Sequence, residues 1–170
     1  MGEATYYLKA RFKSPAAAKK AEPLVLAFLQ EAEKAGDYWQ KNRGGISGPA
    51  KKADQFWKDF ADQFPLVTKY LKAPLFRQYK ELTKGKWGYT KGEPLFGGDH
   101  NNGLAGNMSF GSSESEDNLS VNGAVLAYHE YTWHLASWDE LCAWLKIEFG
   151  ATEAKWLSEE YANVSDLLEV

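Results

Sequence analysis

This sequence predicts an α+β fold in a single domain, and three features of its 170 residues carry that prediction. Residues 4–13 alternate strictly between apolar and polar positions, the period of a half-buried strand. Apolar residues then recur at three- and four-residue spacing in the stretches before Pro65, the period of amphipathic helices. Alternation returns over residues 119–134, ahead of a capped helix and one last alternating run.

In the opening strand, Tyr6, Leu8, Ala10 and Phe12 point one way, and Tyr7, Lys9, Arg11 and Lys13 point the other. Ser14 and Pro15 supply an N-cap and a first helical residue with its φ already set. The helix they begin is expected to reach about Asn42, with a kink or a restart at Pro23, which lacks a backbone donor. Gly44 and Gly45 stop it. A second helix starts near Pro49, with Ala53, Phe56, Trp57 and Phe60 as its apolar stripe and Lys51, Lys52, Lys58 and Asp59 between them. Pro65 breaks or bends that helix, and Pro74 precedes a third short segment over residues 75–82. Residues 83–103 are rich in Gly and polar side chains, and so long a loop in a compact domain is often functional.

Residues 104–110 read as a short strand, and the acidic run 111–118 as a flexible connection. Residues 119–134 read as strand, with Asn122-Gly123 as the place where a tight turn would divide it. There Val125, Ala127, His129, Tyr131 and Trp133 share one face, and Leu126, Tyr128, Glu130, Thr132 and His134 share the other. Ser137 to Glu140 form a capping box, and the helix they open closes at Gly150. Residues 151–158 alternate as a last strand, and residues 159–170 form an acidic tail ending in a short helix.

With its first crossover compressed, this order is βαββαβ, the ferredoxin-like split βαβ unit. It predicts an antiparallel sheet with helices on one face and a helix-rich insertion of about residues 44–103 in the first crossover, all within one domain spanning 1–170. The first and third strands would be central neighbours. The open face would then hold Tyr7, Lys9, Arg11 and Lys13 beside Tyr128, Glu130, Thr132 and His134, an assignment that a one-residue slip would reverse.

Charge and composition narrow the functions. The net charge of −3 divides sharply: residues 1–91 carry 18 Lys and Arg against 9 Asp and Glu, while residues 92–170 carry 2 against 14. The two halves can neutralise each other within the fold, or one can meet a charged partner. Cys142 is the lone cysteine, so no internal disulfide forms, which fits a reducing compartment. Neither a signal peptide nor a membrane span is expected.

No catalytic constellation emerges. His129 and His134 are five residues apart and face opposite sides of a strand, so they cannot share a metal ion. Asp99 beside His100 could orient a general base, yet adjacent side chains rarely converge, and a solvated turn is the simpler reading. The glycines between residues 85 and 106 precede a strand instead of a helix, which weakens any phosphate cradle. Cys142 reads as packing. Basic residues interleaved with aromatics suit phosphates and stacked bases. That pattern nominates Lys9, Arg11, Lys84, Lys86, Trp87, Tyr89 and His100, with Tyr128 and Glu130 from the open face, as binding residues. The pI of about 5.7 argues against a general nucleic-acid binder.

A resemblance adds to this reading. The opening run Tyr6-Tyr7-Leu8-Lys9-Ala10-Arg11-Phe12 and the closing block resemble the ferredoxin-like domains of small phage and mobile-element proteins. Within that block the matching segments are Tyr131-Thr132-Trp133-His134, Trp138-Asp139-Glu140-Leu141, Phe149-Gly150-Ala151 and Ser158-Glu159-Glu160-Tyr161. The resemblance covers the first 13 and the last 50 or so residues, and residues 14–103 depart from it. It implies a bacterial cytoplasmic setting and transfers no catalytic residue. The expectation is a non-enzymatic binding protein without a cofactor, occupying a host protein or sequestering a small nucleotide-like ligand, as a counter-defence factor would. A small enzyme acting on a phosphate-bearing substrate and an oligomeric assembly component are the alternatives.

Overall fold

The structure, a computed structural model, describes residues 4–42, 50–71, 114–132 and 138–158. It is an α+β fold built on a four-stranded antiparallel sheet. The chain divides into two compact units, residues 1–30 with 111–170, and residues 31–110. The predicted segments at 75–82 and 104–110, the loop 83–103 and the tail 159–170 lie outside the described residues.

The first unit holds the sheet. Its strands are β1 (Ala4–Arg11), β2 (Leu119–Asn122), β3 (Val125–Thr132) and β4 (Glu153–Ser158), in the spatial order β2-β3-β1-β4. β1 and β3 are therefore the central pair. Gly123, at φ +60°, is the first of two residues joining β2 to β3, and nothing lies within 4 Å of where its Cβ would sit. Glycine is needed there for its backbone freedom alone. The Phe12 N–H donates to the Ala124 carbonyl (2.8 Å), tying the end of β1 to this turn.

Helix α1 (Pro15–Asn42) begins as the sequence predicts, with Ser14 Oγ accepting from the Ala17 N–H at 3.1 Å. Pro23 sits inside it, and the helix does not restart there. Pro23 and Lys19 are both exposed, so water can reach the Lys19 carbonyl that loses its helical donor. The acidic connection contains a single helical turn, α4 (Ser115–Asn118), in which the N–H groups of Asp117 and Asn118 both donate to the Glu114 carbonyl at 3.0 Å. Helix α5 (Trp138–Phe149) ends at Gly150, whose φ of +81° lets the Ala151 N–H turn back to the Leu145 carbonyl (3.1 Å).

Val25 and Leu29 of α1 and Leu141 and Leu145 of α5 pack against Leu8, Leu126 and Tyr128 of the sheet. The void among them is about 10 Å³, barely the room one water needs. Two aromatic groups extend this core. Tyr6 stacks on Trp138 (5.3 Å between centroids, 7° between planes), with Tyr128 and Trp156 beside it, and Phe28 meets Trp144 and Phe149.

Register corrects one expectation. Leu8 lies opposite Tyr128, and Tyr6 opposite Glu130. Tyr128 and Glu130 are therefore on the helix-covered face, only 3% and 4% exposed, and not on the open face beside Tyr7 and Lys9. Leu126 and Tyr128 offer more apolar surface than Val125 and Ala127, so their side turns inward, and the strand's two-residue period carries Glu130 in with them.

The second unit packs the latter part of α1 with α2 (Ala50–Gln63) and α3 (Pro65–Leu71). Tyr38 meets Phe56, Phe60 and Phe64 with centroids 5.4–6.2 Å apart. Pro65 separates α2 from α3 as the sequence predicts, and it occupies the first helical position of α3. The Glu31 carboxylate accepts from the Val67 N–H at 2.7 Å, so α1 caps α3 across 36 residues of sequence. Burial of Glu31 pushes its carboxyl above the usual carboxylate range, and the backbone donors of Val67 and Leu66 pull it partly back. Among the described residues, no helix is long and apolar enough to cross a membrane.

Candidate functional site

The face of the sheet that α1 and α5 leave open follows directly from the strand pairings. Residues directly opposite one another in an antiparallel sheet project to the same side. Starting at the β1 N-terminus, the first row on this face pairs Tyr131 with Thr5. The next row sets His129 beside Tyr7 and Leu157. The third runs Ser120, Ala127, Lys9, Lys155, and the fourth Asn122, Val125, Arg11, Glu153. One end of the face is aromatic and the other cationic.

The aromatic end has defined geometry. The Tyr7 and His129 rings are neighbours, with centroids 6.0 Å apart and planes 30° apart. Tyr131 is 64% exposed, the most open of the large apolar side chains among the described residues. Leu157 is buried beside them, giving the aromatic rows an apolar footing. At the cationic end, Lys155 and Arg11 are exposed and Lys9 is half-buried. Glu153 lies 4.0 Å from the Arg11 guanidinium, and both side chains are about half exposed, so the pair is weak and screened. Lys13 adds an exposed cation just beyond β1.

The covered face is built differently. Glu130 accepts a hydrogen bond from the Tyr128 hydroxyl (3.1 Å) below the sheet. His129 and Glu130 thus project to opposite sides of β3 and cannot act together on one substrate. Cys142 is buried, 6% exposed, on α5. Among the described residues, no three His, Cys, Asp or Glu side chains group to hold a metal ion.

Of the residues nominated by sequence, Lys9 and Arg11 share the open face with Tyr7, whereas Tyr128 and Glu130 lie beneath it. Lys84, Lys86, Trp87, Tyr89 and His100 fall outside the described residues, as does His134. Sequence reasoning did not bring His129, Tyr131 and Lys155 to the face. The alternation that grouped His129 with Tyr131 was legible, and only the pairing with β1 tells which way that group points. The chain matches no known family model, no curated protein and no solved structure.

Proposed function

We propose that this chain is a non-enzymatic binding protein that holds a nucleotide-like ligand on the open face of its sheet. The observation that carries the reading is the order of rows on that face: the Tyr7 and His129 rings, then Lys9 and Lys155 one row along. Residues two apart on a strand are separated by about 7 Å. A base resting on the ring pair therefore brings its phosphate within reach of the two ammonium groups. Stacking tolerates any base, and lysine meets phosphate as a point charge. The separation of His129 from Glu130 across β3 supports binding without turnover.

The ferredoxin-like architecture belongs to the same proposal. Support for it comes from the strand order, with β1 and β3 central, and from α1 and α5 supplying the residues beneath the sheet. Sequestration of a nucleotide, in the manner of a phage counter-defence factor, is the role we propose for such a surface.

Titration with uridine 5′-monophosphate, followed by NMR, tests the reading. The Tyr7 and His129 ring signals and the Lys9 and Lys155 amides are expected to shift together, and the nucleotide to be recovered unchanged. Lys9→Gln with Lys155→Gln should weaken binding by about tenfold, the loss of one to two kcal/mol that phosphate contacts of this kind provide. Shifts confined to other parts of the chain would refute the assignment.

A further inference from the structure

We infer that the ligand is a segment of single-stranded polynucleotide and not a lone nucleotide, an inference that rests on the nucleotide-binding reading above. Tyr131 carries it. This ring stands on the same face as His129, two residues further along β3 and on the side away from the lysines. It is 64% exposed and about 7 Å from the first stacking position. A mononucleotide occupying the ring pair and the lysines does not reach the exposed surface of Tyr131. A second nucleotide, continuing along the β1–β3 axis, places its base there.

Charge argues for the same occupant. The chain as a whole is net −3, yet the cationic rows hold Lys9, Arg11 and Lys155 against Glu153, with Lys13 just beyond. A local excess of cations on an acidic protein favours an anion at this face. Ala127 beside Lys9, and Ser120 beyond it on β2, are small, keeping that side of the row low enough for a backbone to pass. Single strands are favoured over duplexes because rings stack only on bases that are splayed out, and a flat strand face presents nothing that enters a groove.

The test compares fluorescently labelled hexauridylate, hexathymidylate, a duplex of equal length and uridine 5′-monophosphate, by anisotropy and competition on the full chain. At least one hexamer is expected to bind ten times more tightly than the monophosphate and the duplex, and the preferred sugar identifies RNA or DNA. Tyr131→Ala should cost the hexamer about tenfold, with the monophosphate unchanged within twofold and Tyr131→Phe restoring the hexamer. Ile147→Ser, which alters an exposed apolar residue on α5, should change neither. Circular dichroism melts of each variant establish that it is folded. Raising salt from 50 to 200 mM should weaken the hexamer by about tenfold, as two or three displaced counterions require. A hexamer no tighter than the monophosphate, or a duplex equal to it, overturns the inference and leaves mononucleotide binding standing. If neither hexamer nor monophosphate binds, both readings fail.

Discussion

Tyr128 and Glu130 are polar side chains on a face otherwise lined by Leu8, Leu126, Val25 and Leu145, and the hydroxyl-to-carboxylate bond between them makes their burial tolerable. Removing the hydroxyl takes a donor from a carboxylate that stays below the sheet. Tyr128→Phe is therefore expected to destabilise the protein by about 2 kcal/mol, measured by urea unfolding. Thr68 presents the opposite case. It is 7% exposed on α3, and its hydroxyl has no hydrogen-bond partner among the described residues. Thr68→Val keeps the shape and removes the unmatched group, so it should raise stability by about 1 kcal/mol in the same experiment. The sequence could not distinguish these two residues. Each is a polar side chain at an inward position, and the difference lies in whether a neighbour answers it.

Helix α3 is only seven residues long and starts at a proline, so its first turn depends on an acceptor supplied from elsewhere. Glu31 supplies it, and Glu31→Ala should fray α3 and cost about 1 kcal/mol, seen as faster amide exchange at Val67 and Thr68. Titration of this carboxyl also gives a pH dependence with a definite sign. Its folded value is raised, above the roughly 4.3 of an unfolded Glu, so the folded state binds the proton more tightly. The resulting stabilisation is complete below the unfolded value and is lost as pH rises through the folded one. Glu31→Gln keeps an acceptor for Val67 without the charge. Relative to the natural chain, it should gain stability from pH 4 to pH 7, and a flat difference across that range would refute the effect.

The elements differ in how readable they were. β1 was legible because all four residues on its inner side are apolar, and the hairpin because Asn122-Gly123 announces the turn. The inner side of β3 was not legible, since Leu and Tyr on one side compete with Val, Ala and Tyr on the other. A pairing with a strand more than a hundred residues away decided it. The capping of α3 from α1 was likewise out of reach, because nothing local links Glu31 to Val67.

Over the whole chain, a modest net charge conceals two strongly opposed stretches of sequence, with 18 cationic residues to residue 91 and 14 acidic ones beyond it. Near the pI of about 5.7 the net repulsion between molecules vanishes while both kinds of patch persist. Light scattering against pH at low ionic strength should therefore peak near that value and fall when salt is added. The candidate face was legible only in part. Lys9, Arg11 and Tyr7 followed from β1 alone, but the aromatic row needed β3 and the second lysine needed β4.

Arg11 closes β1 in two independent ways. Its carbonyl accepts from both the Thr152 N–H (2.7 Å) and the Thr152 hydroxyl (3.0 Å), which pins the approach to β4. Its guanidinium, meanwhile, lies on the outer surface. A main-chain anchor survives a change of side chain, so this position can be recoded to Gln or Lys without loosening the scaffold, whereas Glu would face Glu153. An engineer could rewrite what the surface attracts while leaving the folding instructions, written on the even-numbered sites, untouched.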